Sequence, residues 1–171
     1  SLYPIFKEMD RNEPQLENGI VKVHPKMREI IRQFGTDGWI NAIFPYEEGG
    51  QQLPWTIHLS AGFILQAANY SASVFPFLTT GAANLIRTFG SSELRDAYTP
   101  KMYSGEWQGT MALTEPDAGS SLSDLSTLAV PTAKEGVYSI SGQKIYISAG
   151  DQDACDNIIH VMLARIQGAP A

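Results

Sequence analysis

The feature that most constrains the fold of this chain is a change of hydrophobic period near Gly105. Upstream, apolar residues recur every three to four positions, the repeat of helices with one buried face; downstream they alternate, as in half-buried strands. Trp55, Leu59, Phe63 and Ala67 fall at steps of four behind Pro54, which suits the first turn of a helix and predicts that this face packs inward. Val74, Leu78, Ala82, Leu85 and Phe89 form a second stripe, with Gly90 as its stop. Ser91 can cap a third helix, with Glu93 in its first turn, and Pro100 predicts a fresh start in a short turn ending at Ser104-Gly105. A weaker helical pattern covers about 25–34, bounded by Gly35, and 45–53 is loop by composition.

Beyond Gly105, Trp107, Gly109, Met111 and Leu113 alternate with Gln108, Thr110, Ala112 and Thr114. Segments 137–140 and 143–148 read as strands joined by a tight hairpin turn at Ser141-Gly142, and 157–166 as a further strand apolar enough to be buried. The fold class is therefore α+β: an N-terminal α-helical domain over 1–104, then an antiparallel β domain over 105–171. With about five strand candidates, the sheet would keep exposed apolar edges, so the expectation is a partial β domain belonging to a longer protein.

Composition enters as exclusion. A hydrophobic fraction of 43% against 18% charged residues is that of a globular chain. No apolar run reaches the roughly 20 residues a bilayer span needs, and residues 1–10 lack the pattern of a signal peptide. The net charge of −6, without a Lys/Arg cluster, argues against a nucleic-acid surface. The one cysteine, Cys155, excludes an internal disulfide and fits the cytoplasm. Asn69-Tyr70-Ser71 is a glycosylation sequon by spelling, but it sits within a helical pattern. His24, His58 and His160 have no metal spacing, and His160 reads as a hydrogen-bonded core histidine. Asp151, Asp153 and Asp156 lack the glycine and closing glutamate of a calcium loop, so no metal is expected. No dinucleotide fingerprint, phosphate loop or nucleophile elbow occurs.

Two segments carry chemistry. Met111-Ala112-Leu113-Thr114-Glu115-Pro116-Asp117-Ala118-Gly119-Ser120-Ser121 is a strand running through Glu-Pro into a small-residue loop, which lets a bulky or anionic ligand approach the backbone. In Gly142-Gln143-Lys144-Ile145-Tyr146-Ile147-Ser148-Ala149-Gly150, period two would set Lys144, Tyr146 and Ser148 on one strand face. An aromatic ring and a hydroxyl so placed could stack on a planar cofactor and donate to one of its ring nitrogens. Each segment taken alone reads more simply as an ordinary turn or a surface strand.

Together they resemble the acyl-CoA dehydrogenase family, whose middle domain carries a "TEPxAGSD" loop and a "GxKxWITNG"-like strand. Tyr98-Thr99-Pro100-Lys101-Met102-Tyr103-Ser104-Gly105-Glu106 is likewise similar to the family's "YLPxLxSGE" segment. The likeness spans most of residues 30–165. Ile147-Ser148-Ala149-Gly150-Asp151 followed by Asn157-Ile158-Ile159-His160 is similar to the long bacterial members, among them 3-methylmercaptopropionyl-CoA dehydrogenases.

The resemblance implies an FAD site and α,β-dehydrogenation of acyl-CoA thioesters to 2-enoyl-CoA. Met111, Leu113 and Thr114 would run along the isoalloxazine, with Leu113 and Thr114 at its pyrimidine side. Gly119 and Ser120 would approach the pyrophosphate, Ser120 also lying near the CoA portion of the substrate. Tyr146 would take the place of the ring-packing aromatic and Ser148 that of the hydroxyl near flavin N5, with Ile147 between them. Ser121, Tyr146 and Ser148 stand where the family usually has Asp, Trp and Thr. The family's catalytic base belongs to a C-terminal helical domain, expected to be absent here. No catalytic residue is therefore assigned, Glu115 reads as structural, and the chain by itself is expected to lack turnover. An electron-transfer flavoprotein as redox partner and a homodimer or homotetramer are implied in the same way. An acyl-CoA oxidase, or another flavoprotein such as a nitroalkane oxidase, would share this scaffold, as would an FAD-binding relative that holds DNA.

Overall fold

Met27, Ile30, Ile31 and Phe34 recur at helical spacing and form the buried face of helix α2 (Met27–Thr36). With Ile40, Ala72 and Ala154 they make the main core. Gly35, expected to end this helix, lies inside it, because a β-carbon there would overlap the Ser104 carbonyl group. Gly105 lies at the same crossing with φ +71, and a β-carbon on it would stand 2.5 Å from the Ile31 carbonyl oxygen. Gly35 serves close approach rather than helix termination, whereas Gly105 serves both: its N–H donates to the Met102 carbonyl at 3.1 Å and Glu106 N–H to the Lys101 carbonyl at 3.0 Å, closing the helix that ends at Tyr103.

The computed structural model describes residues 2–169. Its other helices are α1 (Phe6–Arg11), α3 (Trp55–Ala68), α4 (Tyr70–Phe89) and α5 (Ser92–Tyr103). Its strands are β1 (Gln15–Glu17), β2 (Ile20–Lys22), β3 (Trp107–Ala112), β4 (Leu128–Pro131), β5 (Tyr138–Ser141), β6 (Asn157–Met162) and β7 (Arg165–Ile166). The α+β class therefore holds. The chain divides into two compact units, one running up to Thr110 and including Ala149–Ile159, the other comprising Met111–Ser148 and the chain from His160 onward. No helix among the described residues is long and apolar enough to cross a membrane.

In the first unit, α3 turns the predicted face outward. Trp55, Leu59 and Phe63 are exposed, Phe63 to 76%, while His58 and Gly62 are buried. His58 meets the Phe77 ring edge-on at 6.1 Å, and Gly62 leaves room for that ring. Because α3 is apolar on every side (Ile57, Leu59, Phe63, Ile64, Leu65), spacing alone cannot select its inward face. In α4 the buried positions are small or hydroxylic (Ala72, Ser73, Pro76, Thr79, Thr80, Ala82 and Ala83), so only Ala82 of the predicted stripe is fully buried and Phe89 is exposed. Ser73 Oγ donates to the Asn69 carbonyl at 2.9 Å and Thr80 Oγ1 to the Ile40 carbonyl at 2.8 Å, which satisfies these hydroxyls.

Asn69 sits between α3 and α4 rather than within a helix. Its Oδ1 accepts the Ala72 N–H at 3.1 Å as the α4 cap, and the residue is wholly buried. Ser91 caps α5 as expected, its Oγ accepting from Leu94 N–H. Pro100 starts no new turn; it lies inside α5, which continues to Tyr103 because Thr99 and Met102 bury one face of its last turns. Strands β1 and β2 pair antiparallel around Asn18-Gly19, whose φ angles of 52° and 78° are those of a two-residue hairpin turn.

Strand β3 pairs with β6, and the division between the units falls inside both. In the second unit β4 pairs antiparallel with β5 and parallel with β7, so this sheet is mixed rather than purely antiparallel. The hairpin expected at Ser141-Gly142 does not form. Gly142 packs against Thr127, and Tyr146 and Ala149 take φ of +57° and +54°, which a strand ladder cannot hold, so 143–148 is irregular. The predicted strand 157–166 breaks into β6 and β7, because Leu163 N–H donates to the Ala112 carbonyl and Arg165 N–H to the Thr127 carbonyl. Neither strand is fully buried, and His160 is exposed instead of in a core.

Candidate functional site

Both candidate segments fall in the second unit, apart from the final Ala149-Gly150. Strand β3 delivers Met111 to an exposed position and Ala112 to a buried one; Leu113 and Thr114 then leave the sheet half-buried. Glu115-Pro116-Asp117-Ala118 closes a tight turn, in which Glu115 N–H donates to the Ala118 carbonyl at 2.8 Å and Ala118 N–H returns to the Glu115 carbonyl at 3.2 Å.

The side chain of Glu115 points back under this turn and is 3% exposed. One carboxylate oxygen accepts from both the N–H and the hydroxyl of Ser126 at 2.7 Å. The other accepts from Thr127 N–H at 3.0 Å and from Lys144 Nζ at 2.9 Å. These bonds from Thr127, Lys144 and Ser126 hold the carboxyl well below the usual carboxylate range. Glu115 is thus ionised and fully occupied, which agrees with its structural reading and removes it as a proton acceptor.

Lys144 also donates to the Leu113 carbonyl at 2.9 Å, and Ile145 N–H donates to the Thr114 carbonyl at 3.0 Å. The two segments that the sequence singles out are therefore fastened to each other, through backbone carbonyls on one side and a side chain and an amide on the other. Lys144, Ser126 and Thr127 form this clamp without appearing among the predicted site residues. The glycine–x–lysine spelling was the available signal for Lys144; nothing marked Ser126 or Thr127.

Tyr146 does not share a strand face with Lys144 and Ser148. The Lys144 side chain is 7% exposed, whereas Tyr146 is 88% exposed and sits in the left-handed region. Ile147 is half-buried and Ser148 exposed. Gly119 and Ser120 lie on an exposed loop, Gly119 with open space where a β-carbon would stand, and Ser121 Oγ lies 3.0 Å from Ser123 Oγ. Among the described residues, the N–H groups of Thr114, Gly119, Ser120 and Ser121 donate to no backbone carbonyl outside regular structure.

Two of the three aspartates considered for calcium, Asp153 and Asp156, are engaged elsewhere in the first unit. Asp153 pairs with Lys22 at 3.1 Å and accepts Val23 N–H, and Asp156 pairs with Arg28 and, at 2.8 Å, with Arg32. Among the described residues no three His, Cys, Asp or Glu side chains come together as a metal site.

Comparison with known proteins gives these segments their context. The model of the acyl-CoA dehydrogenase N-terminal domain matches residues 2–106. The 3-methylmercaptopropionyl-CoA dehydrogenase of Ruegeria pomeroyi is 40% identical over 167 residues, covering 98% of this chain and 28% of that protein. A butyryl-CoA dehydrogenase of Syntrophomonas wolfei is 43% identical over 122 residues, 71% of this chain and 20% of that protein. The chain thus spans less than a third of the length of these relatives. The acyl-CoA dehydrogenase of Bacillus anthracis complexed with FAD superposes with a TM-score of 0.75 over 98% of this chain and 26% of its own, at 23% identity, which speaks to the fold. By the family model over more than half its length, the chain belongs to the acyl-CoA dehydrogenase family.

Proposed function

We propose that the protein carrying this chain is an FAD-dependent dehydrogenase that converts an acyl-CoA thioester to its 2-enoyl-CoA. Residues 1–104 would be its N-terminal helical domain and 105–171 part of its middle β domain. The observation that carries the reading is the fastening of Leu113 and Thr114 to Lys144 and Ile145, which joins the two segments of the expected flavin site in one unit.

The residues present fit such a cofactor. Met111 and the Tyr146 ring are exposed surface against which a planar ring system can lie, with Leu113 and Ile147 half-buried beside them in sequence. Thr114 N–H is available to an accepting ring edge, and Ser148 offers a hydroxyl. The N–H groups of Gly119, Ser120 and Ser121 suit a pyrophosphate, which an acidic chain must hold by local donors. When bound, FAD supplies the hydride acceptor. Ser120 is assigned to the CoA portion of the substrate as well.

Glu115 takes no part in proton transfer, since its carboxylate is already saturated. The proton acceptor is assigned to a C-terminal helical domain outside this chain. The names of the two relatives point to a short acyl group. An electron-transfer flavoprotein as oxidant, a homodimeric or homotetrameric state and a cytoplasmic location complete the proposal.

The test is anaerobic titration of the purified full-length protein with butyryl-CoA and 3-methylmercaptopropionyl-CoA. Bleaching of bound flavin by either is the expected result, with slow re-oxidation by oxygen separating a dehydrogenase from an oxidase. A full-length protein that binds no flavin, or whose flavin stays oxidised under a broad panel of acyl-CoAs, would overturn the assignment.

A further inference from the structure

A planar trans peptide ties the direction of a carbonyl to that of the following N–H, which points the opposite way. Lys144 Nζ binds the Leu113 carbonyl at 2.9 Å, so the direction of Thr114 N–H is set by a side chain thirty positions further along the chain. The next peptide is held too: the Thr114 carbonyl accepts from Ile145 N–H at 3.0 Å, and Glu115 N–H donates to the Ala118 carbonyl at 2.8 Å. Two consecutive peptide planes are therefore locked, and Thr114 N–H, directed away from the clamp, is a donor with no backbone acceptor among the described residues.

Lys144 is itself held in place. Its side chain is 7% exposed, its second contact is the Glu115 carboxylate, and that carboxylate is anchored by Ser126 and Thr127. An ammonium so enclosed has one geometry, unlike a surface lysine. We propose that Lys144 is a positioning residue for the cofactor site, setting Thr114 N–H as a preorganised donor to the electron-rich edge of a planar heterocycle. The inference rests on the flavin reading above, but the locked peptides stand without it.

The test uses the full-length protein with Lys144→Met and the double variant Lys144→Met/Glu115→Gln, which removes both buried charges. Two readouts are followed: FAD affinity of the apoprotein by flavin fluorescence, and hydrogen exchange at the Ile145 amide. Lys144→Met is expected to weaken FAD binding on the order of tenfold to a hundredfold and to speed exchange at Ile145. The double variant should recover thermal stability while FAD binding stays weak, because the Leu113 carbonyl is still unheld. If the double variant regains both stability and wild-type FAD affinity, Lys144 serves folding alone and the proposal is overturned. Wild-type exchange at Ile145 in Lys144→Met overturns it as well. If wild-type apoprotein binds no FAD while exchange at Ile145 still rises in the variant, the locked peptides stand, but the flavin reading fails and the cofactor-positioning role with it.

Discussion

Thr79 Oγ1 accepts the backbone N–H of Gly109 at 3.0 Å, so a helix side chain satisfies the third residue of a strand that follows thirty positions later. The same hydroxyl donates to the Phe75 carbonyl at 3.0 Å, and Thr79 is wholly buried. Replacing it with valine keeps the shape but leaves the Gly109 N–H buried without an acceptor. The expected loss is about 1–3 kcal/mol, seen as a lower urea midpoint with unchanged slope. Thr79→Ser should recover most of it. A valine variant as stable as wild type would show that water or a shifted carbonyl replaces the hydroxyl.

Gly35 sets helix propensity against packing. Alanine in a helix interior is favoured over glycine by about 1 kcal/mol. At Gly35, however, the added carbon meets the Ser104 carbonyl group, which is backbone and cannot rotate aside. The overlap should win: Gly35→Ala is expected to destabilise by about 1–3 kcal/mol net. A stabilised variant would mean that α2 and the chain after α5 can separate at little cost.

These cases show what was legible in the sequence. The α5 cap at Ser91 and the α2 face of Met27, Ile30, Ile31 and Phe34 depend on neighbours within one or two turns, and spacing finds them. Asn18-Gly19 also carries its hairpin signal locally, though it lies in a stretch assigned wholesale to a helical domain. The glycine at position 35 looks like a stop because its true demand, room for Ser104, comes from far along the chain. The inward face of α3 depends on where Phe77 lies, and a helix apolar on all sides cannot report that. The irregular path of 143–148 depends on left-handed Tyr146 and Ala149, neither of which is a glycine that would advertise it. Lys144 and Glu115, 29 residues apart, could be paired only by folding.

Two groups give the stability of this chain a fall in two stages on the acid side of its pH profile. Burial lowers the pKa of His58, which is 6% exposed with no partner for Nδ1. The unfolded state then binds more protons than the folded one just below the ordinary histidine value of about 6.5, so stability falls as pH drops through that region. Glu115 is depressed by its hydrogen bonds from Thr127, Lys144 and Ser126. Its contribution is complete above the ordinary carboxylate value of about 4.3 and is lost as pH falls below it. Melting temperatures taken from pH 8 to pH 3 should therefore decline in two stages. His58→Gln should flatten the first stage and Glu115→Gln reduce the second, to which the depressed carboxyls of Asp153 and Asp156 also contribute, each leaving the other stage in place. A first stage unchanged in His58→Gln would assign it to another group.

Ser148 is exposed on the irregular segment and is proposed to donate near the reacting nitrogen of the flavin. In the full-length protein, Ser148→Ala should slow flavin reduction by acyl-CoA by the equivalent of about 1.5–3 kcal/mol, roughly ten- to a hundredfold, with substrate affinity little changed. Stopped-flow reduction under anaerobic conditions measures this directly, and an unchanged rate would take Ser148 out of the site.

Tyr146 combines strain with exposure, a pairing that folding alone does not reward. At φ +57° a non-glycine residue costs about 1–2 kcal/mol, while glycine brings about 0.5–1 kcal/mol of unfolded-state entropy. Being 88% exposed, the ring returns little packing energy to the fold. Tyr146→Gly should therefore leave apoprotein stability unchanged or raise it by up to about 1 kcal/mol, read from the urea midpoint. If the ring packs on a cofactor, the same variant should bind FAD more weakly, and Tyr146→Phe should bind it normally. This opposite movement of stability and affinity is what strain held for function produces. A glycine variant that loses stability but keeps its FAD affinity would make Tyr146 a structural residue instead.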